Sequence, residues 1–191
     1  MPVMAQAREV IDLVGRKVAV PDNPQRIISL APSITEILFS LGQQKKLKGV
    51  TLYSDYPPAA REIPKVGSYI HLDVERIAAL KPDLCFAIKD GNPRHVVEKI
   101  EALGIPVFVV DPRNMEEIIT TTARMGDVLN ARREASELVS DMRGRLERVK
   151  ATIAKVSSRP AVFFQVDASP VVSAGEGTFT DELITLRVVD D

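Results

Sequence analysis

Four short apolar runs, each followed by a stretch with helical spacing, leave this chain little choice of architecture. The runs are RIISL (Arg26–Leu30), LKGVTL (Leu47–Leu52), LCFAI (Leu84–Ile88) and IPVFVVD (Ile105–Asp111). LCFAI and IPVFVVD lack the every-second-residue polar break of a half-exposed strand, so both of their faces are expected to be covered. APSITEILFSLG opens a helix at Pro32 or Ser33 and closes it at Gly42, and Ser33 with Glu36 has the spacing of a capping box. LDVERIAALKPD starts near Asp73 and is stopped by Pro82. NPRHVVEKIEALG carries Asn92 as cap, Pro93 in its first turn and Gly104 as terminator. Strands alternating with helices fold into a parallel sheet covered by helices on both faces.

The texture changes after Arg113. Met115, Ile118 and Ile119 open a helical pattern, and a longer apolar stripe runs through Ala131, Ala135, Leu138, Val139, Met142, Leu146, Val149, Ile153 and Val156. Its steps of three, four and seven predict one helix of roughly 25 residues, about 40 Å long. The stripe is expected to lie on the side of the sheet, with a coiled-coil dimer as the other option. After SSRP, the run AVFFQV (Ala161–Val166) reads as a strand, PVVSAG follows, and GTFTDELITL starts a helix. A second α/β unit begins there, with too few residues left to bury a core of its own. The expected class is therefore α/β: residues 1–25 as a tail with short strands, 26–112 as a parallel-sheet lobe, 113–158 as a helical linker with a long spine helix, and 159–191 as an incomplete second lobe. Strand edges of AVFFQV could pair between chains, giving an associated or swapped dimer.

Charge and motifs narrow the function classes. Lys and Arg number 25 against 26 Asp and Glu, a formal net charge of −1 with no basic run. Nucleic acid and anionic membrane surfaces are therefore poor partners. No run approaches about 20 apolar residues, so no transmembrane helix is expected. The single cysteine, Cys85, sits in LCFAI and is expected in the core; it allows no internal disulfide, which does not separate cytoplasm from periplasm. Near the start, Ala5-Gln6-Ala7 has the small-x-small form of a signal-peptidase site, to be weighed against a plain tail. There is no Gly-x-Ser-x-Gly, phosphate loop or GxGxxG, and SAGEGTF reads as an ordinary turn, so an enzyme is not expected. Tyr69, His71 and Asp73 alternate; a hydrogen-bonded loop and an axial ligand to iron or cobalt both suit that spacing.

The connections after the strands are more informative. In an open parallel sheet, ligands sit outside the carboxyl ends of the strands. The loops expected there carry Ser33, Tyr53, Tyr69, Lys89 and Asn92, an aromatic and polar rim without a nucleophile; Ile70 and Ile88 beside them complete the expected ligand-binding set. Such a rim suits binding of a small molecule better than turnover.

RIISLAPSITEILFSLG, YSDYPP, VGSYIHLDVERIAALKPDL and ALGIPVFVVDP, in this order and spacing, resemble the class III substrate-binding proteins of ABC importers, and within them the corrinoid (vitamin B12)-binding group. The resemblance spans about residues 8–186. It implies two α/β lobes joined by a rigid helix, a ligand held between them, export to the periplasm or to an extracellular, membrane-attached position, and delivery to a permease. No cofactor is implied beyond the ligand, cobalamin or a related corrinoid. Tyr53 and Tyr69 match aromatic positions that pack on the corrin, and Ser33 another cleft position. Glu75 matches the carboxylate that pairs with permease arginines. Ile88 and Val172 stand where the family has aromatic residues, and Tyr69 replaces a tryptophan. A haem or ferric-siderophore receptor of the same architecture, or a non-transport sensor domain, is the alternative. The second lobe is expected to be truncated, since ELITL would ordinarily run on.

Overall fold

The structure, a computed structural model, describes residues 7–156 and 161–186. Ala5 and Gln6 of the AQA tripeptide, the SSRP linker and the closing RVVDD lie outside the described residues. The chain opens with an antiparallel hairpin, β1 (Ala7–Ile11) and β2 (Lys17–Pro21), in which Val10 faces Val18. β2 alternates, burying Val18 and Val20 and exposing the residues between them. The Asp12 carboxylate closes the turn: it accepts from Val14 N (3.1 Å), Arg16 N (2.7 Å) and Arg16 Nε (2.8 Å).

The main sheet holds β3 (Ile27–Ser29), β4 (Leu47–Gly49), β5 (Leu84–Ile88) and β6 (Val107–Val110) in the spatial order β4-β3-β5-β6, all parallel. The chain leaves β3 toward β4 on one side and returns to β5 on the other, so the order reverses between β3 and β5. Helices cover both faces. Ile27, Leu84, Phe86, Phe108 and Val110 pack under α1 (Pro32–Ser40), α4 (Met115–Val128) and the start of α5 (Arg132–Ile153). Ile28, Cys85, Ala87, Val107 and Val109 pack under α2 (Val74–Ala79) and α3 (Arg94–Ala102). Phe86 and Phe108 are fully buried and meet edge to face, 5.7 Å between ring centres. Truncating either to alanine is expected to cost about 3–5 kcal/mol.

The helix ends depart from the sequence reading in two places. Ala31 caps α1 without a side-chain hydrogen bond and Pro32 fills its first turn, so Ser33 lies inside the helix and the Ser33–Glu36 capping box is not formed. Pro93 occupies the cap position of α3, because the Asn92 side chain is used elsewhere. Asp73 does cap α2, accepting from Arg76 N at 2.9 Å, and Asn114 caps α4, accepting from Glu117 N at 2.8 Å.

The long helix is α5, 22 residues and so about 33 Å. Its stripe is only partly covered. Ala131 and Ala135 are buried, Leu138 packs on the core cluster, and Val149 and Val156 are exposed. The first turns can approach α4 closely because Gly126 faces Ala135; a methyl on Gly126 would lie 2.3 Å from Ala135 Cβ. At its far end Ile153 is buried again.

The last described segment holds an antiparallel hairpin, β7 (Gln165–Ala168) and β8 (Val171–Ser173), and α6 (Phe179–Leu186). The strand begins at Gln165 rather than Ala161, since the Ser169–Pro170 turn sets Ala168 opposite Val171 and pairing runs back only to Gln165. Val162, Phe163, Phe164 and Val166 are exposed. Glu182 on α6 accepts from Met115 N at the start of α4, 2.8 Å. No described helix is long and apolar enough to cross a membrane.

Candidate functional site

The carboxyl ends of the four parallel strands define one edge, and the reversal of strand order places a crevice beside β3 and β5. Three loops rise there. The first, after β4, carries Tyr53 and Tyr56, residues that are 64% and 65% exposed. Exposed as they are, they sit on a fixed support. Ser54 is buried, and its hydroxyl lies 2.8 Å from Thr51 Oγ1 and 3.1 Å from Thr35 Oγ1; Thr35 also reaches Ser29 Oγ at 2.8 Å. This buried chain of hydroxyls joins the end of β3, helix α1 and the Tyr53 loop. From the other side Lys65 Nζ donates to Ser54 O (2.9 Å) and Ala60 O (3.0 Å). Burial pulls the Lys65 ammonium below its ordinary pKa, with the Asp55 carboxylate pulling back.

The second loop spans residues 67–72, closed by an isolated pairing of Gly67 with Leu72. Gly67 is required there: its φ is +99°, and a methyl would meet His71 O at 2.3 Å. Tyr69 and Ile70 stand at the tip, 38% and 46% exposed, next to the exposed His71. The third loop follows β5. Lys89 donates to Asp111 (2.9 Å), which Arg113 also holds at 2.9 Å. Desolvation works to raise the Asp111 pKa, but hydrogen bonds and charges from Lys89 and Arg113 outweigh it and hold the carboxyl below its usual range.

Two open grooves flank this edge. One, about 530 Å³, lies between α1, α4 and α5; Ser33, Val110, Pro112 and Met142 are among its walls. The other, about 550 Å³, lies toward α3 with Val14, Ile88, Val97 and Val109 as its apolar lining and Arg16 and Lys89 beside them. The expected rim residues thus separate: Ser33 in one groove, Ile88 and Lys89 in the other, and Tyr53, Tyr69 and Ile70 on loops. Asn92 lines the second groove beside Ile88 and Lys89. It is 5% exposed, and its amide is used inside the fold. Val172 stands exposed on β8 and lines neither groove. Glu75 is exposed in the first turn of α2. Burial pushes the Cys85 thiol far up, which leaves it inert as a nucleophile. Among the described residues no three His, Cys, Asp or Glu side chains gather as a metal site. The sequence reading missed the hydroxyl chain; a threonine inside an apolar helix face gives no signal of that role.

Residues 27–191 match the family described as periplasmic binding protein. The vitamin B12-binding protein of Yersinia pestis is 33% identical over 162 residues, covering 85% of this chain and 58% of that protein. Among solved structures, the periplasmic vitamin B12-binding protein BtuF of Vibrio cholerae superposes with a TM-score of 0.77 at 32% identity, over 87% of this chain and 65% of that one. A periplasmic haem-binding protein from Pseudomonas aeruginosa gives 0.79 at 28% identity, over 85% and 61%. The names of these relatives give vitamin B12 and haem as what they bind and imply no resident cofactor. The chain spans about 58% of the length of the curated relatives it matches.

Proposed function

The chain belongs to the periplasmic binding protein family, and from that premise we propose that it forms one wall, and the beginning of the other, of an extracytoplasmic receptor that captures a corrinoid and hands it to an ABC importer permease. Residues 26–112 are the first lobe, 113–158 the connecting spine and 159–191 the start of the second lobe. The observation that carries this reading is the pair Tyr53 and Tyr69: exposed residues at the carboxyl edge of a parallel sheet, on loops tied down by side-chain hydrogen bonds from Thr35 to Ser54 and from Asn92 to Tyr69 O. Aromatic faces with scattered polar groups suit a flat macrocycle with amide arms. Rigid loops lower the ordering cost of binding it. The identities of 33% and 32% to vitamin B12-binding proteins, against 28% to the haem-binding one, favour the corrinoid. Glu75 is exposed for docking to a permease arginine. The chain does no chemistry in this role.

Tyr69 and His71 share one loop tip, which favours a haem receptor as the second reading. Calorimetric titration decides between the two. Cyanocobalamin is expected to bind, and Tyr53→Ala or Tyr69→Ala to weaken it about tenfold, or 1.4 kcal/mol. An affinity unchanged in both variants sinks the corrinoid reading. A Soret shift on adding haem, lost in Tyr69→Phe, supports the second.

A further inference from the structure

Gly91 and Asn92 leave β5 and run beneath the Tyr69 loop. Asn92 Nδ2 donates to Leu30 O at the end of β3 (2.8 Å) and to Tyr69 O (2.7 Å), while its Oδ1 accepts from Ile88 N (2.8 Å). Both amide hydrogens and one acceptor position are therefore engaged. One side chain ties the ends of two central strands to the backbone of the residue that presents the ring. Gly91 completes the seat. At its φ of +156°, a methyl would lie 2.9 Å from Tyr69 Cδ2, 3.3 Å from Cε2 and 3.2 Å from Ile88 Cγ2. Carbon atoms do not approach that closely without displacement. The ring can occupy this position only while residue 91 has no side chain.

We infer that Gly91 and Asn92 are positioning residues: Asn92 fixes the Tyr69 backbone, Gly91 fixes where the ring lies, and the aromatic rim is set before a ligand arrives. The inference rests on reading Tyr69 as a ligand-facing ring. A ring ordered in advance spares the ordering cost of one side chain, about two- to tenfold in affinity.

The chain has three tyrosines and no tryptophan. Tyr53→Phe with Tyr56→Phe leaves Tyr69 as the sole source of the tyrosine band in near-ultraviolet circular dichroism, which lies to longer wavelength than the phenylalanine bands, and of tyrosine fluorescence. In that background Gly91→Ala is expected to lose most of the Tyr69 dichroic band and to become more open to acrylamide quenching, with far-ultraviolet dichroism unchanged. Asn92→Asp, which keeps the acceptor for Ile88 N but sets a carboxylate oxygen against two carbonyls, is expected to do the same. A band and quenching unchanged in a folded Gly91→Ala chain overturn the inference. A second measurement guards against general damage. The loss of urea midpoint caused by Gly91→Ala is expected to shrink in a Tyr69→Ala background, because the ring clash is gone; an equal loss in both backgrounds assigns the effect to backbone strain and overturns the ring seat. Cyanocobalamin affinity, read with all tyrosines present, is expected to fall about two- to tenfold in Gly91→Ala. If the parent binds no cyanocobalamin yet the Tyr69 band still collapses, the ligand reading fails and the positioning stands.

Discussion

Thr35→Val tests whether the rim is held by the hydroxyl chain beneath it. Thr35 is fully buried, and valine matches its shape, so the change removes a hydroxyl without opening a cavity. Its Oγ1 lies 2.8 Å from Ser29 Oγ, 3.1 Å from Ser54 Oγ and 3.2 Å from Ala31 O. After substitution Ser29 still donates to Ala31 O and Ser54 still pairs with Thr51. Each serine therefore loses one partner but neither is stranded. Ala31 O keeps Ser29 Oγ and Thr35 N as donors, and the single Thr35 hydroxyl hydrogen serves one acceptor at a time, so the loss is the two bonds to Ser29 and Ser54, about 1 kcal/mol each or about 2 kcal/mol together. For a chain of this size that is a fall in Tm of about 4–8 °C. Thr51 is equally buried but touches only Ser54 in this chain of hydroxyls, so Thr51→Val is expected to cost about half as much. Urea unfolding with a shared slope reads both differences. Cyanocobalamin affinity is expected to fall in Thr35→Val although Tyr53 is untouched, since Ser54 anchors the loop that carries it. A Thr35→Val chain within about 0.5 kcal/mol of the parent, or a Thr51→Val chain that loses as much as Thr35→Val, refutes the reasoning.

Other contacts give equally direct expectations. Glu182→Ala removes the acceptor for Met115 N, so cleavage by a nonspecific protease within residues 161–186 should quicken while residues 7–130 stay protected; an unchanged cleavage pattern counts against the contact. The folded Asp111 carboxyl titrates below its unfolded value. Its contribution is therefore present above the unfolded pKa and is lost as the pH falls through the folded one, on the acid side of the usual carboxylate range. Asp111→Asn should lose less urea midpoint than the parent between neutral and acid pH, and parallel losses would reject the pairing with Lys89 and Arg113. Cys85 should resist iodoacetamide in the native chain and react fully in urea, given its burial and raised pKa; native labelling at the rate of a free thiol would place it outside the core.

Much of the fold was legible because the strong signals are local. LCFAI was readable as a strand covered on both sides, and it is β5, flanked by β3 and β6 with helices above and below. The helix start near Asp73 was readable, and Asp73 caps it because its carboxylate needs only its own helix turn to reach Arg76 N. Asn92 stands in the same kind of position before a helix, yet Leu30 and Tyr69 claim its amide, and both are distant in sequence. The strand predicted at Ala161 begins at Gln165 for a related reason. An apolar run becomes a strand only where a partner pairs with it, and β8 reaches no further back.

The candidate site divides along the same line. Tyr53 and Tyr69 draw notice because they stand in proline- and glycine-bearing loops after strands, where an open parallel sheet takes its ligands. What holds them is invisible in a single sequence. Thr35, Ser54 and Asn92 are common residue types, and nothing in their neighbours tells a hydroxyl that anchors a loop from one that only fills a helix face. Gly91 is the sharpest case. It follows Asp90 and precedes Asn-Pro, the ordinary company of a turn glycine, but the space it leaves open belongs to Tyr69, 22 residues earlier. A side chain at position 91 would move the ring with no change in the chemistry of the exposed surface, and on the proposed function it would change affinity through a residue that itself touches no ligand.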